Sequence, residues 1–299
     1  MSTRPKRNQE GTREVNANST VSVMVEGGGD QVVAHVGLHA LGAFADRLNV
    51  GELLSARIAA RGPRPPLHDR GKVLVQAMLM LAGGGESCSD IERLRSQPTL
   101  FGAVASDSTL YRSVRALDAV TLAGLWQAMA QARRRVWRRS SATTGKAPVV
   151  LDLDASLVDI HSENKEGTAP NYKRGFGFSP MFCFADATGE ALAGLLRPGN
   201  ATANSMSDQL AVLDAAVAQL PERIAAGHHR GDEPCRVRRA VEVRADSAGG
   251  SARLASEFRA RNIGFSVVAR TNPQVQAAIS RAVNDSDRWA PSATQSGGE

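Results

Sequence analysis

The chain has 299 residues, of which 42% are hydrophobic and 22% are charged, a composition typical of globular domains in water. It contains no run of about 18 apolar residues and no apolar stretch behind its basic N-terminus, which argues against a membrane span and a secretory signal. Lysine and arginine number 36 against 30 aspartates and glutamates, and the net charge of +6 suits a polyanionic partner such as nucleic acid.

The N-terminal part of the chain predicts an arm followed by helices. Residues 1–20 are polar and poor in large apolar side chains, which predicts a disordered basic arm. We expect a short strand at 21–26 and a helical pattern over 38–60 that is interrupted near Asn49, before the loop 61–66. Apolar residues then lie nearly all round the segment 70–82, which indicates a buried helix that ends at the glycine run beginning with Gly83.

The next segment predicts two short helices joined by a turn, at 91–96 and 109–117. In the second helix, three apolar residues share one face: Leu110, Val114 and Leu117. Tyr111, Arg112 and Arg115 lie off that face, an arrangement that resembles a helix-turn-helix. The pattern leaves open the alternative of an ordinary helical bundle. We expect residues 21–140 to form an all-α, helix-turn-helix-like region that binds DNA.

A long helix over 118–137 ends in a basic cluster. Four apolar residues are predicted to point inward: Leu122, Leu125, Met129 and Val136. Five arginines fall within nine residues at the end of the helix: Arg133, Arg134, Arg135, Arg138 and Arg139. We interpret these arginines, with Arg112 and Arg115, as contacts to DNA phosphates. The alternative is a solvated helix end.

After the polar linker 140–146, a candidate domain boundary, the pattern becomes rich in strands. The segments follow one another in this order: strands at 147–160, 177–185 and 191–196, a helix at 205–220, a strand at 238–245, a helix at 250–262 and a strand at 263–270. This β-β-β-α-β-α-β order predicts an α/β fold, an RNase H-like mixed sheet, with its core over 147–272. We expect residues 273–299 to form a partial helix and a polar tail.

Acidic residues interrupt two of these apolar strands. Side chains alternate along the first strand, so Asp152 and Asp154 share one face with Val150. Asp246 terminates the fourth strand, which neighbours the first in an RNase H-like sheet. Converging carboxylates suit Mg²⁺ or Mn²⁺, and two such ions stabilise the attacking and leaving oxygens of a phosphoryl displacement. The alternative is that Asp246 only caps the helix after it.

Long motifs resemble a known family. The strings LDLDASLVDIHSE, YKRGFGFSPMFCFAD, EALAGLLRPGNATANS and VRADSAGG resemble the core of DDE transposases from bacterial insertion sequences, insertion sequence family 1380, and the resemblance extends over residues 20–290. It implies an RNase H-like domain that cuts and joins DNA ends, without a covalent protein–DNA intermediate, using Mg²⁺ or Mn²⁺. It also implies a homo-oligomer bound to terminal inverted repeats in double-stranded DNA. The family's first two aspartates map to Asp154 and Asp246, with Asp152 as the alternative for the first.

The sequence departs from this family near its C-terminus. The family carries a third acid, usually Glu, on a helix after the fifth strand, whereas the sequence after Trp289 is polar and Glu299 lies on no predicted helix. We therefore expect a C-terminally truncated transposase whose sheet lacks a covering helix and whose catalytic activity is lost. Two function classes remain open: a DDE transposase, or a non-catalytic DNA-binding remnant that regulates the intact enzyme. Either would be cytoplasmic and associated with the nucleoid.

Other polar residues are weaker candidates. Lys173, Arg174 and Arg197 flank the predicted site, where they would contact phosphates or be ordinary surface charge. Three residues after the first strand are outer ligands or exposed loop residues: Asp159, His161 and Glu163. His228 and His229 are expected to be exposed. The three cysteines form no Cys-x-x-Cys pair, so neither a zinc knuckle nor a disulfide framework is predicted.

Overall fold

The computed structural model of the chain describes residues 13–15, 23–25, 35–58, 66–161, 164–202, 205–246, 250–268 and 271–283. The chain divides into two compact units, Met1–Arg139 and Ser140–Glu299. Within the described ranges, no helix is long and apolar enough to cross a membrane.

Two short strands come first in the N-terminal unit. Strands β1 (Arg13–Val15) and β2 (Val23–Val25) pair antiparallel. The strand expected at 21–26 is confirmed at β2, whereas the disordered arm expected over 1–20 is wrong at β1. The other residues of that arm and most of the loop 61–66 lie outside the described residues.

Seven helices follow among the described residues of this unit: α1 (Val36–Arg47), α2 (Val50–Ser55), α3 (Arg70–Ala82), α4 (Glu92–Arg95), α5 (Pro98–Phe101), α6 (Asp107–Arg115) and α7 (Ala119–Trp137). The expected break falls at Asn49, whose left-handed φ of 55° separates α1 from α2. Helix α3 starts where the Asp69 side chain accepts a hydrogen bond from the Lys72 backbone N–H, and it ends at Gly83. Helix α5 was not predicted, although Pro98 at its first position is a usual helix start.

The helices enclose two apolar clusters. One cluster joins α3 to the segment from α4 to α6, and its innermost residues are Val73, Ile91, Leu94, Ala105 and Leu110. The other joins α2 and α3 to α7 through Val50, Leu54, Leu74, Ala128 and Ala132. The inward face predicted for α7 is wrong at Leu122, which is 44% exposed. Small alanines occupy the buried face instead, because they allow α2 and α7 to pack closely.

The C-terminal unit contains a mixed sheet. Its strands are β3 (Val149–Ala155), β4 (Val158–Asp159), β5 (Ala169–Pro170), β6 (Phe176–Phe178), β7 (Met181–Ala185), β8 (Glu190–Leu195), β9 (Val241–Ala245) and β10 (Gly264–Val267). Its helices are α8 (Ser141–Thr144), α9 (Met206–Gln219), α10 (Glu222–Ala225), α11 (Ala252–Arg259) and α12 (Pro273–Val283). Helix α8 lies within the segment that was expected to be a linker. The tail after Val283 lies outside the described residues.

Five strands form the main sheet, in the order β10-β9-β3-β7-β8. Strands β3, β7 and β8 are antiparallel, whereas β9 and β10 run parallel to β3. The expected order β-β-β-α-β-α-β is therefore present, with α9 before β9 and α11 before β10. Because β9 pairs with β3, the first and fourth long strands are neighbours, as the sequence predicts.

Two predicted strands are each divided, yet they remain in register. The expected strand 147–160 contains β3 and β4, and the expected strand 177–185 contains β6 and β7. Pairing continues across the division, because the Ser156 backbone N–H donates to the Pro180 carbonyl at 2.9 Å. Val158 then pairs with Phe178 in the register that Ala155 and Met181 set. Strands β3–β4 and β6–β7 thus form one long antiparallel ribbon, whose outer part belongs to the small sheet β4-β6-β5.

The two faces of β3 differ as predicted. Val149, Leu151 and Leu153 are buried, on the side where α9 contacts the neighbouring strands β7 and β8. Asp152 and Asp154 lie on the opposite face, where Asp154 is exposed. The sheet thus presents its acidic residues on the side away from this core.

Candidate active site

Asp154 and Asp246 lie at the ends of neighbouring parallel strands. The last paired residues of β3 and β9 are Leu153 and Ala245, and the two aspartates are the residues that follow. Alternation along both strands assigns their side chains to the face that carries Asp152 and Arg244. The two aspartates thus follow the last paired positions of two strands that lie about 4.8 Å apart.

Asp154 has the surroundings of an accessible ligand. It is exposed, and its Oδ1 accepts a hydrogen bond from the backbone N–H of the next residue, Ala155, at 2.8 Å. Asp246 is exposed as well, and residues 247–249 lie outside the described residues. Both residues are therefore in contact with solvent.

Asp152, in contrast, is held by an ion pair. Arg244 Nε donates to Asp152 Oδ1 at 2.6 Å, and Arg244 Nη2 donates to Asp152 Oδ2 at 2.8 Å. The same Nη2 also contacts Asp186. Hydrogen bonds to Asp152 first and to Asp186 second raise the pKa of Arg244 above its ordinary value. Both oxygens of Asp152 are therefore engaged.

Sequence reasoning missed the role of Arg244 and Asp186. Arg244 is two residues before Asp246, so alternation alone places both on one face. That spacing was an available signal. Asp186 was not foreseeable in the same way, because it follows β7 and meets Arg244 only through the pairing of three strands.

The donor set fits part of a divalent metal site. Carboxylate oxygens are the ligands that Mg²⁺ and Mn²⁺ prefer, and Asp154 and Asp246 supply them from two rigid strands. Within the described ranges, no group of three or more His, Cys, Asp or Glu residues is arranged to hold a metal ion. A divalent ion at this place would therefore take two protein ligands from the described residues, Asp154 and Asp246, and its other positions would belong to water or phosphate oxygens.

The thiol nearest to these carboxylates is inert. Cys183 pairs with Leu153 and is buried. Burial, and next the charge of Asp152, raises the pKa of Cys183 to about 12. The thiol therefore stays protonated near neutral pH and offers no nucleophile.

Of the basic residues predicted to flank the site, two are exposed and one is buried. Lys173 and Arg174 are exposed, as predicted. Arg197 is only 4% exposed and donates to the Ser179 carbonyl at 2.9 Å and to Asp208 at 3.0 Å. The prediction that it contacts phosphate is therefore wrong, because its guanidinium is used inside the fold.

The remaining candidates in this unit are structural or solvent-exposed. Asp159 accepts a hydrogen bond from the Asn171 side chain at 2.7 Å, and His161 is exposed. Glu163 lies outside the described residues. His229 is exposed as expected, but His228 is fully buried between the carbonyls of Arg261 and Arg239, 3.2 and 2.9 Å from its ring nitrogens. The expectation that His228 is exposed is wrong.

The arginines predicted to contact DNA from the N-terminal unit also differ in their exposure to solvent. Five of the predicted contacts are exposed: Arg112, Arg115, Arg134, Arg138 and Arg139. Arg133 is only 7% exposed, which contradicts its assignment as a phosphate contact. Arg135 is half-buried and donates to the Leu48 carbonyl at the end of α1. Both lie on the inner side of α7.

Arg112 also lines a basic groove. Two adjoining surface cavities, of about 430 and 480 Å³, share Arg70 and Arg112 in their walls, and Arg95 lines the second. The N-terminus of α6 borders the groove through Thr109. Three arginines around an open cavity suit an anionic partner.

One comparison with known proteins, the match to a family model, identifies the family of the chain. Residues 15–296 match the family model described as transposase DDE domain group 1. No curated protein matches the chain. Among solved structures, the chain is similar to the piggyBac transposase in a synaptic complex with hairpin DNA, with 14% identity and a TM-score of 0.37. That similarity covers 83% of this chain and 54% of the other, so the chain spans about half the length of that transposase.

Proposed function

The chain belongs to the DDE transposase domains of group 1, and we propose that it is a transposase of a bacterial insertion sequence of family 1380, which binds DNA and cuts and joins its strands with the help of Mg²⁺ or Mn²⁺. One observation carries the proposal: Asp154 and Asp246 end neighbouring parallel strands in the middle of the sheet. The strand order supports an RNase H-like assignment, because three antiparallel strands precede two parallel ones.

In this proposal, the two aspartates are the catalytic and metal-binding residues. Asp154 is the first ligand rather than Asp152, because Arg244 occupies both oxygens of Asp152. A divalent ion bound there would offset negative charge on the attacking and leaving oxygens of the phosphodiester. Arg244 has a separate part, which is to neutralise Asp152 and Asp186 so that carboxylate repulsion does not separate the strand ends.

DNA binding is proposed for the helical unit. Helix α6 would act in the manner of a helix-turn-helix, because Tyr111, Arg112 and Arg115 are exposed on it. The arginines around the groove and the exposed end of α7 would contact phosphates of the terminal inverted repeats. A homo-oligomer on DNA, in a cytoplasmic protein associated with the nucleoid, belongs to the same proposal.

A second candidate function is DNA binding without cleavage, as a regulator of an intact transposase. The observation that favours it is the number of ligands: within the described ranges, Asp154 and Asp246 are joined by no third potential ligand in a metal-binding group. A site with two carboxylates would hold a second ion less firmly, and cleavage would be slower by orders of magnitude. DNA binding would be unaffected.

Metal binding and cleavage test the proposal together. We expect Asp154→Asn and Asp246→Asn each to weaken Mn²⁺ binding at least ten-fold in calorimetric titration, because each removes a charged ligand. Asp152→Asn should change it little, and Glu222→Gln, at an exposed acid of α10, is the matched control.

Cleavage of terminal-repeat DNA by the unsubstituted chain then separates the two functions. Mn²⁺-dependent cleavage that both site variants abolish supports the transposase. DNA binding without cleavage supports the regulator. Undiminished Mn²⁺ affinity in both site variants would show that the metal site lies elsewhere.

A further inference from the structure

An exposed aromatic side chain and two cationic side chains lie in one turn of the C-terminal unit. The turn Asn171–Gly175 connects β5 to β6 and carries Tyr172, Lys173 and Arg174, all exposed. Tyr172 is 79% exposed, against 53% for Tyr111, the other tyrosine of the chain. Lys173 Nζ lies 5.8 Å from the centre of the Tyr172 ring. We call Tyr172–Arg174 the ribbon tip.

Buried hydrogen bonds hold the ribbon tip in place. The Asn171 side chain is buried; it accepts from the backbone N–H groups of Lys173 and Gly175, each at 2.9 Å, and donates to Asp159 at 2.7 Å. A Cβ on Gly175 would lie 2.1 Å from Asp159 Oδ1, so a residue with a side chain at this position would collide with the Asp159 carboxylate unless that carboxylate moved. The turn thus presents three exposed side chains from a fixed backbone, which lowers the entropy lost on binding.

The ribbon places this tip beyond the end of the sheet at which Asp154 lies. Strand β3 ends just past Asp154, and the ribbon continues in the same register until the Ile160 backbone N–H donates to the Phe176 carbonyl at 2.8 Å. Six residues of extended chain, at about 3.3 Å each, span about 20 Å. The ribbon tip therefore lies about 20 Å beyond Asp154 along the ribbon.

We propose that the ribbon tip is a DNA-strand contact in which Tyr172 stacks on an unpaired base and Lys173 and Arg174 bind the neighbouring phosphates. An aromatic ring between cations is the combination that holds single-stranded nucleic acid, because every base offers a face for stacking. Within the described part of the chain, no carboxylate forms an ion pair with Lys173 or Arg174, so their charges are available to phosphate. The inference rests on the proposed function and names a contact of the same DNA substrate.

Photochemical cross-linking and salt titration test the ribbon tip in the full chain. The probe is a thymidine 20-mer with one 5-bromodeoxyuridine, compared with the fully paired duplex of that sequence. We expect near-ultraviolet light to cross-link the single strand to Tyr172, mapped by mass spectrometry, with a much lower yield for the duplex. Tyr172→Phe should keep the affinity, because the ring remains, whereas Tyr172→Ala should lose about ten-fold.

The positive charges of Lys173 and Arg174 should affect a different quantity, the salt dependence of DNA affinity. The pair Lys173→Gln and Arg174→Gln should reduce the slope of log affinity against log salt by about 1.4, because two phosphate contacts to a single strand are lost. Tyr172→Ala should leave that slope unchanged. Arg238→Gln with Arg253→Gln, two exposed arginines of the same unit, is the matched control and should leave the cross-link at Tyr172 intact.

The outcomes distinguish the ribbon tip from the proposed function. If the unsubstituted chain binds neither DNA, both fail. If the chain binds DNA but the cross-link maps elsewhere, or Tyr172→Ala binds as tightly as the parent, only the ribbon tip is overturned. Equal cross-linking of the duplex would also overturn it, because a paired base is not free to stack.

Discussion

Arg244 determines how charge is arranged on the acidic face of the sheet. Four aspartates lie in or directly after three neighbouring strands: Asp152, Asp154, Asp186 and Asp246. Arg244 is shared by Asp152 and Asp186, which leaves Asp154 outside its hydrogen bonds. A single arginine thus separates two aspartates that it holds by hydrogen bonds, Asp152 and Asp186, from Asp154, which it does not hold.

We expect the pair Arg244–Asp152 to stabilise the fold only modestly. Its side chains are 49% and 34% exposed, so water screens the attraction, and the coupling should be about 0.5–1 kcal/mol despite the bidentate geometry. A double-mutant cycle with Arg244→Gln and Asp152→Asn, measured by urea unfolding, gives this value. The coupling should shrink as salt rises.

Asp186→Asn serves as the comparison for this cycle, since Asp186 shares the guanidinium through one nitrogen only. A smaller coupling is expected with this partner. A coupling near zero for Arg244 with Asp152 in low salt would show that the pair does not hold in solution.

At the level of elements, α7 shows how helical geometry divides a cluster of like residues. Five arginines that are neighbours in sequence point in different directions, because successive helical residues are about 100° apart. Arg133 enters the packed side beside Ala132, and Arg135 reaches the carbonyl of Leu48. Arg134 and Arg138, four residues apart, share the exposed side with Arg139 close by. The exposed group is the part available to phosphate.

This division predicts different phenotypes within one helix. Changing Arg134, Arg138 and Arg139 together to Gln should reduce the slope of log affinity against log salt by about 2.7 for duplex DNA, with little change in unfolding temperature. Arg133→Gln should instead lower the free energy of unfolding, by about 1–3 kcal/mol, because Arg133 is packed inside. Fluorescence anisotropy and thermal unfolding measure the two effects.

The contrary result for this helix is equally definite. If Arg133→Gln leaves stability unchanged and alters the salt slope, then Arg133 contacts DNA and the packing of α7 is different from that described.

Local sequence patterns predicted the strands of the sheet better than they predicted the distant contacts of individual side chains. Alternation along β3 separated Leu151 and Leu153 from the aspartates, and the order of strands followed from apolar runs and turns. The positions of Asp154 and Asp246 at strand ends were therefore predictable. Their role as metal ligands remains a prediction.

The buried polar side chains were not predicted, because their burial depends on partners that are distant in the sequence. The burial of Arg197 depends on Asp208 and Ser179, and that of His228 depends on two carbonyls more than ten residues away. Polar side chains are assigned to the surface by default, so a buried one is recognised only when its partners are known. The short strands β5 and β6 were missed as a separate hairpin for a different reason, because two or three residues carry too little periodicity.

For the whole molecule, the two compact units predict separate unfolding. Each has its own buried residues: Leu54 belongs to the core of the first and Leu151 to that of the second, and both are almost fully buried. Leu54→Ala should shift only one of two calorimetric transitions to lower temperature, and Leu151→Ala only the other. Each substitution should lower the free energy of unfolding of its own unit by about 2–5 kcal/mol. A single transition that both substitutions shift equally would contradict this.

The pairing of β3 with β9 also fixes when the candidate site comes into existence. Strands β7 and β8 are joined by a short turn and β3 joins β7 through the ribbon, whereas Arg244 meets Asp152 across 92 residues. The three antiparallel strands therefore have more local contacts than the pair β3–β9, and we expect them to pair first. Asp154 then stands alone at a strand end, and the second carboxylate arrives only when the crossover through α9 has formed. Asp154 and Asp246 therefore become neighbours only when β9 pairs with β3, one step before β10 is added at the edge of the sheet.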